Sequence, residues 1–498
     1  VAHLISGDRV IGRFPVPWRG VNQQVPAYEL PPDALRSASN VIPRNGVLRP
    51  RPGYVQFHSQ VFTGTPTGIA PYLRGAADPV PVLGTTSRIY KYDSGAWSDV
   101  SGSNPTAATT QPARFTTISI GSSNYVIHTN GKDTPRSWAG SSNFATMTGA
   151  PLWSDVCTVA DHLIGIIPPY KIQWGDLRSI SSFGSLNVKQ AAETADAVVA
   201  LRPLGLSNAA ILYKERSIYG VSYTGGQTEA TAFRFDPLGF YDGPASPAAV
   251  VDVDGAHIYM TRNGRVAYYN GAQHVWIADG VWPVIQADMD SSVAIRAWGA
   301  YDPANHEVHF VYPSLTYSSG LRGYLCVTLP RPAEGVTVYG GFPGALSGAL
   351  SAGGVVRLTD NLDIILTAGT TNNRSYKLTT AATTDDGTVY SGSWTTGLIA
   401  APGTDPFRLD SVETYAERAD AYGKLSLTPL NSWTLAGEGS TPDVARDVIL
   451  SAADEPRTAP TGLNIYGRFF GLRYSFDSAS TNTVRFKGAA LYALRSSR

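Results

Sequence analysis

One pattern recurs along residues 66–385: an apolar run, a Gly-containing turn, a second run carrying a Tyr or Trp, then a polar loop. The runs include Val80–Tyr92, Phe115–Thr129, Val156–Ile167, Ala209–Tyr223, Ala256–Tyr269, Val308–Tyr312, Tyr324–Leu329 and Val355–Leu366. Each reads as a hairpin whose second strand brings an aromatic ring back toward the first. Roughly seven such units, spaced by about 35–50 residues, have the period of β-propeller blades. A single long β-sandwich is the competing architecture. The fold expected is all-β: a propeller of about six to eight blades, some irregular, over 66–387.

Composition agrees with short strands and tight turns. Gly numbers 50 and Pro 34, a mixture that disfavours long helices. Charged residues make up 16%, below the roughly 25% usual for soluble domains, as suits a subunit that buries much of its outside against neighbours. Lys plus Arg and Asp plus Glu number 39 each. That balance argues against a dedicated nucleic-acid binder, whose affinity comes from neutralising phosphates. It does not argue against a conduit through which DNA slides. Val1–Val10 lacks an apolar run of signal-peptide length, and no stretch approaches about 18 apolar residues. A chain made and folded in the cytoplasm, with no membrane-spanning segment, is expected. Cys157 and Cys326 each lie in an apolar β-like run and are expected as two buried thiols.

The ends differ from the middle. Residues 1–65 are rich in proline and lack sustained periodicity, so they read as an extended arm with a first hairpin at Asn45-Gly46. Deleting residues 1–50 is expected to abolish docking of the ring while leaving the propeller folded. Beyond Thr383–Gly387 the alternation becomes cleaner: Phe470, Leu472, Tyr474 and Phe476 share one face, with Arg473 and Ser475 on the other. Val484 and Phe486 alternate with Arg485 and Lys487 in the same way. This period of two is that of a sheet buried on one face, and 388–498 is read as a β-sandwich.

No reactive constellation emerges. There is no Gly-x-Ser-x-Gly elbow. Asn130–Thr134 lacks the glycine spacing of a phosphate loop and reads as a turn. His306 and His309, three apart in a strand, point to opposite faces and are not expected to share a metal. Asp252-Val-Asp-Gly255 lacks the further ligands of a calcium loop and reads as an Asp-Gly turn. The Ser-x-Asp-x-Gly-x-x-Trp turns of sialidase propellers are missing, and no carboxylate pair stands out. The 10 Trp, 26 Tyr and 16 Phe are expected mainly to pack between blades. No catalytic residue, cofactor or metal ligand is assigned.

A set of segments nevertheless has a recognisable order. Asn22-Gln-Gln24, Leu30–Ala34, Ser39–Ile42, Asn45–Arg49 and Arg51–Tyr54 resemble the opening of short-tailed bacteriophage tail proteins. These are the nozzle, or tubular, proteins of T7-like phages and the tail hub (packaged-DNA stabilisation) proteins of P22-like phages. Ala210–Tyr223 with Phe235–Gly239, and Ala300–Phe310, are similar to blades of the latter family. Phe470–Tyr474 with Val484–Gly488 is similar to its C-terminal sandwich. The resemblance implies a structural virion protein without catalysis, a homohexameric ring assembled in the host cytoplasm. It would sit below the portal or adaptor, pass viral genomic DNA through its lumen without sequence-specific binding, and support fibres or spikes. On this reading the candidate assembly-interface residues are Asn22, Gln23, Gln24, Pro31, Pro32, Asp33, Arg44, Asn45, Arg49 and Arg51. The alternatives are a glycan-binding or glycan-cleaving propeller for host-surface recognition and a general propeller scaffold outside viruses.

Overall fold

The structure is a computed structural model that describes residues 9–72, 79–205, 208–226, 228–357, 362–368, 372–379, 382, 384–400, 407–417, 424–432, 441–442, 446–449, 461–467, 469–477 and 485–495. Among the described residues, seven four-stranded antiparallel sheets follow one another. Their first strands begin at 66, 114, 155, 198, 250, 298 and 350, close to the spacing expected. These first strands lie side by side in a ring, and the first and last of them touch. The described residues therefore form a seven-bladed β-propeller and a second β body of two larger sheets, of six and seven strands.

Turn chemistry explains the hairpins. Asp254 and Gly255 have φ of 50° and 83° between strands Val250–Val253 and Ala256–Met260. Both central residues at positive φ are what a tight hairpin demands, and Asp-Gly accepts it at low cost. Asn45 and Gly46 do the same at 49° and 73°. Side chains then fill the space between blades. Tyr72 packs on Trp138 with centroids 5.0 Å apart across blades 1 and 2. Trp174 meets Phe233 across blades 3 and 4, and Tyr213 meets Tyr259 across blades 4 and 5. These rings lie between blades, where each buries a large apolar area, while others such as Trp394, Tyr474 and Phe486 pack together in the sandwich. Both cysteines are buried free thiols.

The N-terminal segment is built into the rest. We label its strands β1 (Arg9–Phe14), β2 (Leu35–Ser39), β3 (Val41–Arg44), β4 (Val47–Pro50) and β5 (Gly53–His58). β5 pairs with Ser375–Thr379 and supplies the fourth strand of blade 7, so the two ends of the propeller are fastened to each other. β1 and β4 pair with Arg485–Arg495 in one sheet of the sandwich. β2 pairs with Ser391–Thr396 in the other. Residues 1–65 were expected as an extended arm with a first hairpin; within them, strands from residues 9–58 pair into three sheets. The reason is backbone accounting: unpaired strand edges are costly, and these strands satisfy them.

The sandwich sheets are ordered β3–β4–(Arg485–Arg495)–(Phe407–Glu417)–(Thr461–Gly467) and β2–(Ser391–Thr396)–(Phe469–Asp477)–(Lys424–Ser432)–(Thr441–Pro442). Phe470, Leu472, Tyr474 and Phe476 are buried while Arg473 is exposed, as the alternation predicts; Val484 lies outside the described residues. One hydrophobic cluster runs without a break from blades 5, 6 and 7 into the sandwich. Separate clusters fill the interfaces between blades 1 and 2, 2 and 3, 3 and 4, and 4 and 5. The described residues contain no helix long and apolar enough to cross a membrane.

Two buried ion pairs sit where the bodies meet. Arg51 uses all five of its donors. Two go to the Asp385 carboxylate at 2.9 and 2.6 Å, one to Asn40 Oδ1 at 2.9 Å, and two to the carbonyls of Pro52 and Ala345. Both partners are 0% exposed. Removing one partner of such a pair strands a buried charge and costs about 3–5 kcal/mol, whereas replacing both with apolar groups costs far less. Denaturant unfolding should accordingly show a loss of that order for Arg51→Met and substantial recovery for Arg51→Met/Asp385→Leu. Equal midpoints for wild type and Arg51→Met would remove the pair from its role.

Candidate functional site

Two places gather polar side chains: the junction between propeller and sandwich, and the mouth of the propeller's central channel. At the junction, the β3–β4 hairpin lays Arg44 onto the face of blade 6. Its Nε donates to Glu307 Oε1 at 2.5 Å and a terminal nitrogen donates to Oε2, a two-pronged contact. Burial works against the charged guanidinium, yet the Glu307 carboxylate holds it above its ordinary pKa. Arg51 is held up by Asp385 in the same way, and its guanidinium lies 4.1 Å from the Tyr390 ring centroid. Asn40 relays the contact: its Nδ2 donates to the Ser391 carbonyl at 2.7 Å, at the first strand of the sandwich.

The ten candidate interface residues therefore separate into two groups. Arg44 and Arg51 are spent inside the chain and present nothing to a partner. Arg49 is half-buried, its Nε has no hydrogen-bond partner, and burial together with Arg44 brings it down to about 10. Asn22 and Gln23 are held through the backbone: Asn22 N–H donates to Leu35 O of β2, and Gln23 N–H to Gly280 O in the connection between blades 5 and 6. The Gln24 side chain reaches Asp279 O at 3.1 Å. Pro31, Pro32 and Asp33 form a turn with Ala34 N–H donating to Pro31 O, and Asp33 pairs with Arg19 at 3.1 Å near the surface. Asn45 is exposed at the hairpin tip. The structure brings Arg44, Arg49 and Arg51 toward one junction and leaves Asn22–Gln24, Pro31–Asp33 and Asn45 facing out.

Beside Arg44, three side chains converge that sequence spacing did not connect. Glu307 and His309 are two apart on Glu307–Ser314, so they share a face. The register places Cys326 directly opposite His309 on the next strand. Their potential ligand atoms lie within 4.8 Å of one another, and all three are buried. His306, expected in the same strand, is instead exposed in the turn before it with φ of 48°, while His309 is buried. Only the strand register could have revealed Cys326, because it lies in a separate run 17 positions beyond His309.

The mouth is a cavity of about 750 Å³ formed by loops of blades 2 to 6. Blades 2 to 5 offer the loop before the first strand and the turn between the second and third, and blade 6 offers the loop before its first strand. Glu215 and Asp242 contribute acids and Arg216 and Arg262 bases, among Thr, Ser, Asn and Gln side chains. The blade 4 turn is fixed from below. Lys214, 0% exposed in its side chain, donates to the carbonyls of Ala191 and Thr194 and lies 3.3 Å from Asp196. Burial pushes the Asp196 carboxyl up, but hydrogen bonds from Thr194, the Arg216 N–H and Ser217 prevail and hold it at about 2. Deeper in the ring, Asp155 accepts from Arg114 at 3.1 Å and Arg202 at 2.6 Å, tying the first strands of blades 2, 3 and 4 together. The Asn130–Thr134 turn is closed by Asn130 Oδ1, which accepts from the Lys132 and Asp133 N–H groups. Its polar capacity is directed inward, as a hairpin turn requires.

Burial also makes one inter-blade contact sensitive to acid. His257 accepts from Tyr213 O–H and donates to Pro203 O, both at 2.8 Å. Burial chiefly lowers its pKa to about 4, against an ordinary value of 6.5. The unfolded chain therefore binds the proton first as pH falls. The contribution of His257 is fully present above pH 6.5 and is lost between there and about 4, on the order of 3 kcal/mol. Unfolding measured across that window should show a shallower pH slope for His257→Gln than for wild type. Identical slopes would mean that His257 is not held neutral.

No family model matches the chain, and no curated protein matches it. Solved structures with similarity include U3-55K, 12% identical, with a TM-score of 0.40 over 68% of this chain and 99% of that one. Chaetomium thermophilum Raptor is 8% identical, with a TM-score of 0.43 over 66% of this chain and 29% of its own. The Myceliophteria thermophila Cps50 (Swd1) β-propeller domain is 7% identical, with a TM-score of 0.42 over 66% and 100%. The propeller assignment itself rests on strand order and register in this chain.

Proposed function

We propose that this chain is a structural subunit of a bacteriophage tail, a nozzle or hub ring that continues the DNA channel below the portal or its adaptor. In this reading it helps retain packaged DNA, supports fibres or spikes, and performs no catalysis. The observation that carries it is where the family-like segments fall. Asn40 and Arg51 come from the N-terminal segments and Glu307 from Ala300–Phe310; these side chains meet at the junction, where Arg44, between two of those segments, grips Glu307. Tyr474, from the sandwich segment, is buried in the cluster that the sandwich shares with the blades. Some of the family-like segments thus supply residues that join the two β bodies, which a subunit transmitting force along a tail needs, while Ala210–Tyr223 with Phe235–Gly239 builds blade 4.

The DNA path in this proposal lies between copies of the chain. A cavity of about 750 Å³ has the size of a small-molecule pocket. Duplex DNA presents a major groove alone about 12 Å wide. A lumen for it must come from a ring of subunits, closed by rotation. Balanced charge, 39 of each sign, suits a wall along which a polyanion slides without being held. A glycan-binding propeller has less support. None of the described residues lining the mouth is aromatic, and ring faces are what sugar platforms offer.

Native mass measurement and particle imaging of the full chain test the proposal. A six-chain species with a sixfold ring and an open lumen is the expected result. A monomer at every concentration examined, or a ring whose lumen is too narrow for duplex DNA, would contradict it.

A further inference from the structure

We propose that Glu307, His309 and Cys326 form a zinc-binding site on the face of blade 6. The geometry is that of three ligands on an antiparallel sheet: two residues two apart on one strand, and one directly opposite on its neighbour. Period-two alternation aims all three side chains at one point. The chemistry suits a borderline-soft ion, because imidazole, thiolate and carboxylate are the three ligand types zinc takes in proteins. Tetrahedral zinc with bonds of about 2.0–2.3 Å places its ligand atoms about 3.3–3.8 Å apart. His309 Nε2 and Glu307 Oε2 are already 3.6 Å apart, and the whole set is within 4.8 Å.

A second observation points the same way. His309 is 1% exposed in its side chain, and its Nε2, facing this cluster, has no hydrogen-bond partner. A buried ring nitrogen left in that state is uncommon. The other nitrogen, Nδ1, lies 2.7 Å from the Tyr324 hydroxyl. When Nδ1 carries the proton it donates to that oxygen and leaves the Nε2 lone pair directed at the cluster, the outer-shell support that metal-bound histidines require. Coordination replaces the Cys326 thiol proton, so one proton is released for each ion taken up.

Arg44 is the competitor. Its two-pronged contact occupies one lone pair on each Glu307 oxygen and supplies the positive charge that the buried carboxylate needs. A carboxylate has about four lone-pair positions; Arg44 takes two and the Cys326 thiol donates to another, a position freed when the ion displaces the thiol proton, but a cation must enter beside a guanidinium. The site therefore binds more weakly with Arg44 in place than without it. Zinc and the β3–β4 hairpin act on the same carboxylate, which couples metal uptake to the junction.

The full chain, produced in zinc- or cobalt-supplemented medium and purified without chelators, provides the test. About one zinc per chain is expected by elemental analysis, and the cobalt form should show sulfur-to-metal charge transfer with intense tetrahedral d–d bands. Cys326→Ser should abolish the charge-transfer band. Arg44→Met should hold zinc about tenfold more tightly against a competing chelator, an effect of the size seen when groups around a metal site are changed. Wild-type cobalt protein without a sulfur-to-metal band would overturn the proposal, whether or not the variants fold. So would a band that survives in Cys326→Ser, since the sulfur would then be elsewhere. Arg44→Met binding zinc no better than wild type would remove the competition.

Discussion

Arg51 and Asp385 meet in a space that water does not reach, and the rest of the architecture is arranged around that contact. A guanidinium buried in a low-dielectric interior is tolerable only when every donor is used and the charge is matched. Asn40, Pro52, Ala345 and Asp385 meet those needs together. They come from the N-terminal segment, the end of blade 6 and the linker into the sandwich. None can shift alone without uncovering the charge. Arg44 and Glu307 repeat the arrangement one hairpin away. Two such contacts define how the bodies sit, whatever their net worth in stability, because a misplaced fork satisfies fewer donors than the native one.

Strand exchange between regions adds to this. β5 closes blade 7, and the strands before it belong to both sandwich sheets. The path out of the propeller ring thus leads directly into the second body, with only Arg51 and Pro52 between β4 and β5. The continuous hydrophobic cluster from blade 5 to the sandwich follows from that connectivity. A propeller whose closing strand is tied to another domain cannot open its ring without disturbing both.

Much of this was legible in the residues. Hairpins such as Ala256–Tyr269 were readable because Gly and Asn/Asp turns fix φ locally, and Phe470–Phe476 because alternation fixes the buried face. The same local logic failed at the N-terminus. Asn45-Gly46 announces the β3–β4 hairpin, but the prolines and short runs around it carry no periodicity, so β1, β2 and β5 look irregular until their distant partners are known. Long-range pairing is not written in a local pattern: nothing in Gly53–His58 announces Ser375–Thr379. Arg44 and Arg51 could be singled out, but not their burial, since Glu307 and Asp385 are 263 and 334 residues away. The Glu307, His309 and Cys326 cluster was hidden for the same reason. Two of its members share a strand, yet the third is supplied by register.

The central claim is that propeller and sandwich form one cooperative unit joined by the N-terminal strands. Native-state hydrogen exchange across a denaturant series reads this directly. Amides of β5, of the blade 6 strand Glu307–Ser314 and of the sandwich strand Phe469–Asp477 are predicted to converge on one opening free energy. Sandwich amides that open in a separate, earlier step while β5 and blade 6 remain protected would contradict the account.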